Sequence, residues 1–374
     1  MIKSVRKATN EEWDSIVDTV ESAIYFQTRE WFDIWAEYAG FENDTRLICF
    51  DSGKKVLLPL THINLLKGLI KAHFLAPKGM GGFVTNDTLD ADEKRELFVL
   101  LKKYKMLYCA VNPYDELTNG FDEFNQEDFT QVLDLSEGFE PLFKKWTWGH
   151  YSRARKGLRE GITAELAATE DDWKSYFELY QDNLARWGKK TTNTYQWNLF
   201  EILYRKKSPK IKLWLAKYQG QIISGALCFY HNKHVAYWHS ATSQQFFKKL
   251  NATHVLQYCI IKDACEKGFL LYDFLPSSGI EGVIDFKNGF SPQRKPVHIY
   301  MSPFMETSDT MRKKLPACYL ILDLVPQPGK RCGNCAGLAV GAVGDDRRQP
   351  CHRLGPALLG IVARLDHQEC AERA

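Results

Sequence analysis

A short cationic stretch near the middle of the chain has the residue types that bind phosphate groups. Arg153, Arg155, Lys156 and Arg159 fall within seven residues, although the net charge of the whole chain is only +3. Arginine can donate two parallel hydrogen bonds to one phosphate, and no acidic residue precedes Arg153, Arg155 or Lys156 by four positions. A solvated basic helix face is the alternative interpretation. We favour a phosphate site, with Arg159 solvated or paired with a glutamate.

Aromatic residues beside these cations provide rings on which a base or sugar could stack. On a helix with about 100° per residue, the cations share one arc, and Ala154, Leu158, Tyr151 and Ile162 share the apolar arc next to it. The stretch is therefore predicted to be a helix that docks through its apolar arc. The residues that it would offer to an anionic small-molecule substrate are Arg153, Arg155, Lys156, Tyr151 and Trp148.

The elements that must position this helix alternate between α and β patterns. In the first half of the chain, Thr9 and Thr28 are predicted to cap two helices, the second of which ends at Gly40. Further elements are predicted as strands at 45–51, 55–63 and 106–113 and as a helix at 91–104. Such alternation is typical of an α/β fold with a mixed, α+β-like sheet.

The second half repeats the pattern. A three-stranded meander is predicted from residues 210–218, 222–230 and 234–242, followed by a helix from residue 252 and a strand at 269–275. Aligning Gly53 with Gly220 superposes one strand–turn–strand unit from each half. We therefore expect two similar domains, at 1–140 and 141–304.

Composition limits the class of protein. A chain of 374 residues suggests two domains, and its sequence pI near 8.2 is too mild for a general nucleic-acid coat, so no DNA partner is expected. No signal-peptide pattern or membrane-length apolar run is present, which predicts a cytoplasmic protein. Isolated cysteines in apolar segments, such as Cys109 and Cys228, are expected to be reduced, buried thiols without a nucleophilic role.

The segment 305–374 differs in composition from the rest of the chain. It is rich in arginine, glycine, alanine and proline and contains one aromatic residue, Tyr319. Cys332 and Cys335 could bind zinc, but a strong zinc site would show a second close pair of ligands. We interpret this tail as poorly ordered or as foreign sequence, without a metal.

Four segments taken together resemble the Fem-type and related double-GNAT acyltransferases: 26–41, 76–83, 153–162 and 272–290. The resemblance implies tandem GNAT domains and a transferase that moves an acyl or aminoacyl group to an amine, as an N-acetyltransferase or an aminoacyltransferase. The amine would belong to a cell-envelope glycan precursor, as in peptidoglycan biogenesis, or to a nucleotide-sugar. A non-catalytic RNA- or nucleotide-binding module built around 150–162 is the alternative.

The same resemblance leaves two donors open, acyl-CoA and aminoacyl-tRNA. Ordinary GNAT domains bind the CoA pyrophosphate with a glycine-rich loop at a helix start, but residues 244–252 contain no glycine. Gln245, Lys248, Lys249 and Asn251 are predicted to bind the donor, with lysine charge replacing backbone contacts; a plain loop before an Asn251-capped helix is the alternative. A tRNA partner and peripheral membrane contact both stay open.

Three residues are candidates for the chemistry of acyl transfer. The resemblance places Lys287, within 285–290, at the carbonyl or acceptor end of the cleft; a surface lysine is the alternative. Asp273, at the end of a predicted strand, is the candidate base that takes the amine proton. Tyr237 alternates with Trp238 on the strand at 234–242, so one of the two faces the cleft. No metal-ligand pair or P-loop pattern is seen, and no metal is expected.

Overall fold

The computed structural model describes residues 1–65, 68–121, 124, 126–187, 194–246 and 250–305. The strands are β1 (Ile2–Lys7), β2 (Glu42–Asn43), β3 (Arg46–Phe50), β4 (Lys55–Leu58), β5 (Thr61–Leu65), β6 (Ile70–Phe74), β7 (Leu107–Ala110), β8 (Gln126–Asp134), β9 (Thr163–Leu166), β10 (Ile211–Tyr218), β11 (Gln221–His231), β12 (His234–Thr242), β13 (Leu271–Asp273) and β14 (Gln293–Met301). The helices are α1 (Asn10–Thr19), α2 (Arg29–Ala39), α3 (Ala91–Lys102), α4 (Glu116–Asn119), α5 (Phe139–Lys145), α6 (Trp148–Arg159), α7 (Glu170–Trp187), α8 (Trp197–Arg205), α9 (Ala252–Glu266) and α10 (Glu281–Asn288). The predicted tail lies outside the described residues, apart from Met305.

Local signals set the ends of the first two long helices. The hydroxyl of Thr9 accepts a hydrogen bond from the backbone N–H of Glu12 at 3.2 Å, and the Glu12 carboxylate accepts one from the Thr9 N–H at 3.0 Å. Thr28 caps α2 by accepting from the Trp31 N–H, and the helix ends at Gly40, which has a φ of 70°. The predicted caps are confirmed, because side-chain oxygens satisfy N–H groups that have no partner inside a helix.

The strand predicted at 55–63 is wrong as a single element. The structure divides it into β4 and β5, which belong to different sheets. Pro59 lies between them and has no N–H to donate to a neighbouring strand, so the ladder stops and the chain changes sheet there. The predicted meander of β10, β11 and β12 is confirmed, as is the helix at 252.

Strands from both halves of the chain join one mixed sheet. Its eleven strands lie in the order β2-β5-β6-β7-β14-β8-β13-β12-β11-β10-β9, and β1, β3 and β4 form a separate three-stranded sheet. The late strand β14 lies between β7 and β8, and β8 also pairs with β13. The predicted α/β class with a mixed sheet is confirmed, and the two halves share their hydrogen-bonded ladder.

Helices cover both faces of the β10–β13 region. On one face, aromatic side chains of the first half reach the sheet: Tyr25 stacks on Phe229 at 4.5 Å between ring centroids, and Trp31 contacts Trp238 at 5.8 Å. On the other face, the core joins α5, α6 and α9 to the sheet. Large aromatic contacts of this kind bury much apolar area and fix helix positions. The basic helix α6 packs on the face of the sheet opposite these aromatic contacts.

Candidate active site

Strands β12 and β13 run side by side for only a few residues and then separate. Their parallel pairing starts at His234 and ends where Ala236 faces Asp273, whereas β12 continues to Thr242. A register shift between β11 and β12 leaves Trp238 as an extra residue just beyond this point. A bulge of this kind bends a strand and increases its twist. Beyond Ala236 and Asp273 the two strands are no longer paired, and we refer to the region between the second half of β12 and the loop that follows β13 as the candidate cleft.

Asp273, at the inner end of this cleft, is a fully buried carboxylate with four hydrogen-bonding neighbours. It accepts hydrogen bonds from the hydroxyls of Thr130 and Tyr114, the latter at 2.7 Å, and from the Leu275 N–H at 2.7 Å; Nε2 of His234 lies 3.4 Å away. Burial alone would raise the pKa of Asp273, but hydrogen bonding and charge from His234, with further help from Thr130 and Tyr114, hold that pKa below its ordinary value. Asp273 is therefore ionised at neutral pH.

Lys287 holds the loop beyond Asp273 from the other side. Its ammonium group donates to the Leu275 carbonyl oxygen and to the Ser277 hydroxyl, both at 2.7 Å. The residue is only 5% exposed, so the surface-lysine interpretation does not hold. The same loop contains left-handed backbone at Leu275 (φ 59°) and Ser278 (φ 49°). A non-glycine residue persists in that conformation only when its surroundings impose it.

The pKa of Lys287 is lowered to about 8, because burial disfavours the charged ammonium group. The nearby carboxylates of Asp273 and Asp128 act in the opposite direction and limit the decrease. Lys287 is consequently charged in most molecules at pH 7 and loses its proton just above that pH. A group whose charge changes near neutral pH is typical of functional sites.

The basic helix α6 packs between α9 and α10. A Cβ placed on Gly157 would lie 2.6 Å from Cγ2 of Val255, so the absence of a side chain lets α6 and α9 approach closely. Ala154 is fully buried at the same contact. At the start of α6, Nε2 of His150 lies 3.0 Å from the Phe286 carbonyl oxygen of α10. One helix therefore links α9 to the segment that carries Lys287.

The cations of α6 are exposed, with different neighbours. Arg155 donates to the Tyr151 hydroxyl at 3.1 Å and lies over that ring, and Lys156 forms a 3.6 Å ion pair with Glu160. Among the described residues, no carboxylate forms an ion pair with Arg153 or Arg159. Of the two alternatives stated for Arg159, the solvated one agrees with the structure, because Glu160 lies one turn beyond Lys156 and pairs with it.

Of the four residues predicted for the apolar arc of α6, two are buried, Tyr151 is half-buried and one is exposed. Ala154 and Ile162 are buried, but Leu158 is exposed. The neighbouring residue Gly157 lies at the contact between α6 and α9 instead. The two helices approach closely there through the backbone of Gly157, not through the Leu158 side chain. Trp148 is 79% exposed, and its ring lies 6.0 Å from that of Tyr151. Trp148 therefore lies on the outer surface, whereas Tyr151 is half-buried, with its ring 4.5 Å from that of Phe143 and its hydroxyl bonded to Arg155.

The predicted donor segment meets the basic helix at the start of α9. Asn251 precedes this helix without making a side-chain cap, and its Cβ would be 3.4 Å from a Cβ on Gly157. Gln245 is exposed, whereas Lys248 and Lys249 lie outside the described residues. The first N–H groups of a helix attract anions. The structure thus places the start of α9 beside the cationic helix, two features that the sequence presented separately.

Tyr237 projects from β12 into the core that contains α6 and α9, and Trp238 packs against the opposite core. The two side chains point to opposite faces as predicted, and the placement of one of them at the cleft stays a prediction. Burial raises the pKa of Tyr237, so its hydroxyl keeps its proton at neutral pH. Hydrogen bonds with Ser240 and Gln257 oppose this increase only in part.

Several residues of the site had no signal in the sequence. Tyr114 and Thr130 bond to Asp273 across 159 and 143 positions of the chain, and only the sheet order brings them together. The sequence indicated His234 only as the first residue of a predicted strand and not as a neighbour of Asp273. Ser277 lies within the segment 272–290 that carries the resemblance, but no feature of the sequence singled it out there.

The cysteines of the described part of the chain are free thiols; Cys109 and Cys228 are buried as predicted, whereas Cys49, Cys259 and Cys265 are half-buried. Burial raises the pKa of Cys259 and Cys265 to about 11. Since the thiolate is the nucleophilic form, neither residue is activated for covalent chemistry.

Known structures share this architecture. The crystal structure of FemX is similar with a TM-score of 0.62 at 17% identity, over 82% of this chain and 99% of FemX. The C-terminal domain of a putative lysylphosphatidylglycerol synthetase from Agrobacterium fabrum is similar with a TM-score of 0.51 at 13% identity, over 82% of this chain and 94% of that domain. No curated protein matches the chain in sequence.

The mixed sheet and the likeness to FemX define a tandem GNAT fold. Residues 149–288 also match the model of the acetyltransferase (GNAT) domain family, and they include the basic helix, the cleft and Lys287. The chain therefore carries a GNAT domain and is an acyltransferase, as the resemblance implied. Within the described ranges, no helix has both the length and the apolar character needed to cross a membrane.

Proposed function

We propose that this chain transfers an acyl or aminoacyl group to an amine in the cleft between β12 and the loop after β13. The observation that supports this most directly is the buried, charged Lys287 bonded to that loop at 2.7 Å. A lysine ammonium group has three N–H donors, and the protein uses two of them. The third is left for an oxygen atom of a substrate.

In the proposed reaction, the amine nitrogen attacks the carbonyl carbon of the donor. A C–N bond forms, the donor bond to sulfur or oxygen breaks, the amine gives up one proton, and the leaving thiolate or alkoxide takes up one proton to become a thiol or alcohol. Between these events the carbonyl oxygen carries negative charge, which a positioned cation stabilises. Lys287 would supply that charge in its protonated form.

The roles of Asp273 and Tyr237 follow from their surroundings. Asp273 is ionised and directs its oxygens at protein donors, so we propose that it acts mainly as a fixed charge that keeps Lys287 protonated. As the predicted base, it would have to give up one of these hydrogen bonds to take the amine proton. Tyr237 keeps its proton at neutral pH, so we propose that it donates a proton to the leaving group.

The donor that we favour is an acyl-CoA, with its phosphates at the corner where α6 meets the start of α9. Exposed Arg153 and Arg155 on α6, together with the uncapped start of α9, support an anion site there. Lys156 would join this site by leaving its exposed ion pair with Glu160, since such pairs are weak. An aminoacyl-tRNA also carries phosphates and is the alternative donor.

The acceptor that we favour is an amine on a cell-envelope glycan precursor or a nucleotide-sugar, in the cytoplasm. This part of the proposal rests on the resemblance to Fem-type enzymes and on the exposed cations, which suit a phosphate-bearing molecule. A lipid-linked precursor would require contact with a membrane surface.

Mass spectrometry of reaction mixtures tests the proposed function. The full-length chain is incubated with acetyl-CoA or aminoacyl-tRNA and with amino-sugar nucleotides, and Lys287→Ala serves as the inactive control. Acylated product from acetyl-CoA supports the proposal. Product formed only with aminoacyl-tRNA would identify aminoacyl-tRNA as the donor instead of acyl-CoA. Tight nucleotide or RNA binding without product, falling steeply with salt, would favour the non-catalytic binding module instead.

A further inference from the structure

Two histidines face each other on neighbouring strands at the opposite end of the large sheet from β12. His62 in β5 and His73 in β6 are direct partners in the antiparallel ladder, and their ring centroids are 5.5 Å apart. Directly opposed residues project from the same face of a sheet. Asp44, just after β2, adds a carboxylate: one of its oxygens and one nitrogen of each ring all lie within 4.8 Å of one another.

The ring nitrogens in this group lack ordinary partners. His62 is 3% exposed, and among the described residues neither of its nitrogens has a hydrogen-bond partner. Nε2 of His62 lies 3.4 Å from a Glu42 oxygen, but not in hydrogen-bonding alignment. Nδ1 of His73 is also buried without a partner in the described ranges. Buried polar atoms are nearly always satisfied, so three at one place require an explanation.

The surroundings keep both rings in the form that binds metals. Burial lowers the pKa of His73 to about 4, with a further contribution from His62, and burial likewise lowers the pKa of His62, assisted by Lys71. Neutral imidazole has a free lone pair. Arg46 occupies one oxygen of Asp44 and leaves the other available.

We propose that His62, His73 and Asp44 form a binding site for a divalent transition metal of the zinc class. Two imidazoles and one carboxylate suit zinc, whereas calcium and magnesium prefer sites made only of oxygen ligands. Zinc bonds of roughly 2.0–2.1 Å would draw the ligand atoms to about 3.3 Å from one another, a small closure from the present spacing. The metal would fasten the short edge strand β2 to β5 and β6.

Cobalt substitution tests this site directly. The full-length chain, purified without a histidine tag and stripped with a chelator, is titrated with Co²⁺ while the visible spectrum is followed, and bound cobalt is then displaced with Zn²⁺. We expect the chain to bind one equivalent of Co²⁺ without a sulfur-to-cobalt charge-transfer band in the spectrum. Ligation by Cys332 and Cys335 would produce such a band. Zinc affinity should fall by roughly 100-fold or more in His62→Ala and His73→Ala, since loss of even an outer partner costs 10–100-fold.

Two further variants separate ligation from folding. Asp44→Asn preserves the side-chain size and should weaken zinc binding while the circular dichroism spectrum stays unchanged. His298→Ala removes a partly exposed histidine that lies 3.8 Å from Glu127, and it should bind zinc like the parent. If the parent protein binds zinc no more tightly than a folded His62→Ala/His73→Ala variant, or binds it only through sulfur, the proposed site is wrong.

Discussion

Lys287 and Asp273 bond to opposite sides of one residue: Lys287 donates to the carbonyl oxygen of Leu275, and Asp273 accepts from its N–H, both at 2.7 Å. Leu275 has a φ of 59°, which leucine rarely adopts. The two charged side chains thus impose the conformation of the loop that borders the cleft. The backbone and the charge distribution of the site depend on the same pair.

Replacing Lys287 with alanine should lower turnover by about 10²–10³-fold, as removal of one oxyanion donor does in other enzymes. The change should leave the protein folded, which circular dichroism checks. Steady-state kinetics with the accepted donor measures the effect, and Lys267→Ala, at a lysine on the surface of the same half, is the control. Turnover equal to that of the parent would remove Lys287 from the proposed mechanism.

The rate should decrease at alkaline pH if Lys287 acts as a cation. Its pKa of about 8 in the folded protein means that the charged form is present below pH 8 and is lost as the pH rises through that value. A plot of log kcat/KM against pH should bend downward near pH 8 in the parent. The bend should be absent in Lys287→Arg, provided that variant retains measurable activity. A rate that instead rises through pH 8 would indicate that the neutral amine acts as a base.

The double substitution Arg153→Ala/Arg155→Ala should raise the KM for the phosphate-bearing substrate by well over tenfold. Each buried charge-assisted contact formed on binding would contribute about 1.5–3 kcal/mol. Arg159→Ala, on the same helix, should change the KM little. A double variant with the parent's melting temperature and unchanged affinity for acyl donors and nucleotide-sugars would show that these arginines form only a solvated face.

The two glycines of α6 should respond differently to alanine. At Gly157 the new methyl group would meet Val255 at 2.6 Å, and overpacking of this kind costs about 1–3 kcal/mol of unfolding free energy. At Gly149 nothing lies within 4 Å, so alanine should be neutral or slightly stabilising. Urea denaturation of both variants measures the difference. Equal stabilities would mean that α6 and α9 are not closely packed.

Tyr114→Phe should destabilise the protein by about 1.5–3 kcal/mol at neutral pH, because it removes one hydrogen bond to an ionised, buried carboxylate. The lowered pKa of Asp273 gives stability that is present above the carboxyl pKa of the unfolded chain and is lost as the pH falls through the folded value. The difference between parent and variant should therefore shrink in acid. Tyr218→Phe, at a half-buried tyrosine, should stay within about 0.5 kcal/mol of the parent in the same urea experiment.

Sequence patterns were sufficient where the cause of a structure is local. The caps at Thr9 and Thr28, the meander and the docking of Ala154 depend on residues a few positions apart, and all were predictable. The pairing of Lys156 with Glu160 also has a local cause, and its spacing of four residues was visible in the sequence.

Contacts that depend on sheet order could not be predicted in this way. Nothing near Tyr114 or Thr130 indicates that both bond to Asp273, because β8 must first take its place beside β13. The facing of His62 and His73 likewise depends on the register between β5 and β6, where a shift of one residue would turn one ring to the other face.

The position of β14 also determines when the protein can fold. Residues 293–301 fill the gap between β7 and β8, so the sheet of the first half stays open until nearly the whole described chain exists. During synthesis β7 and β8 leave the ribosome long before β13 and β14, so one edge of β7 and both edges of β8 stay unpaired in the meantime. Such edges are templates for aggregation. We therefore expect a version of the chain cut before residue 293 to be poorly soluble, and the nascent first half to need protection by chaperones.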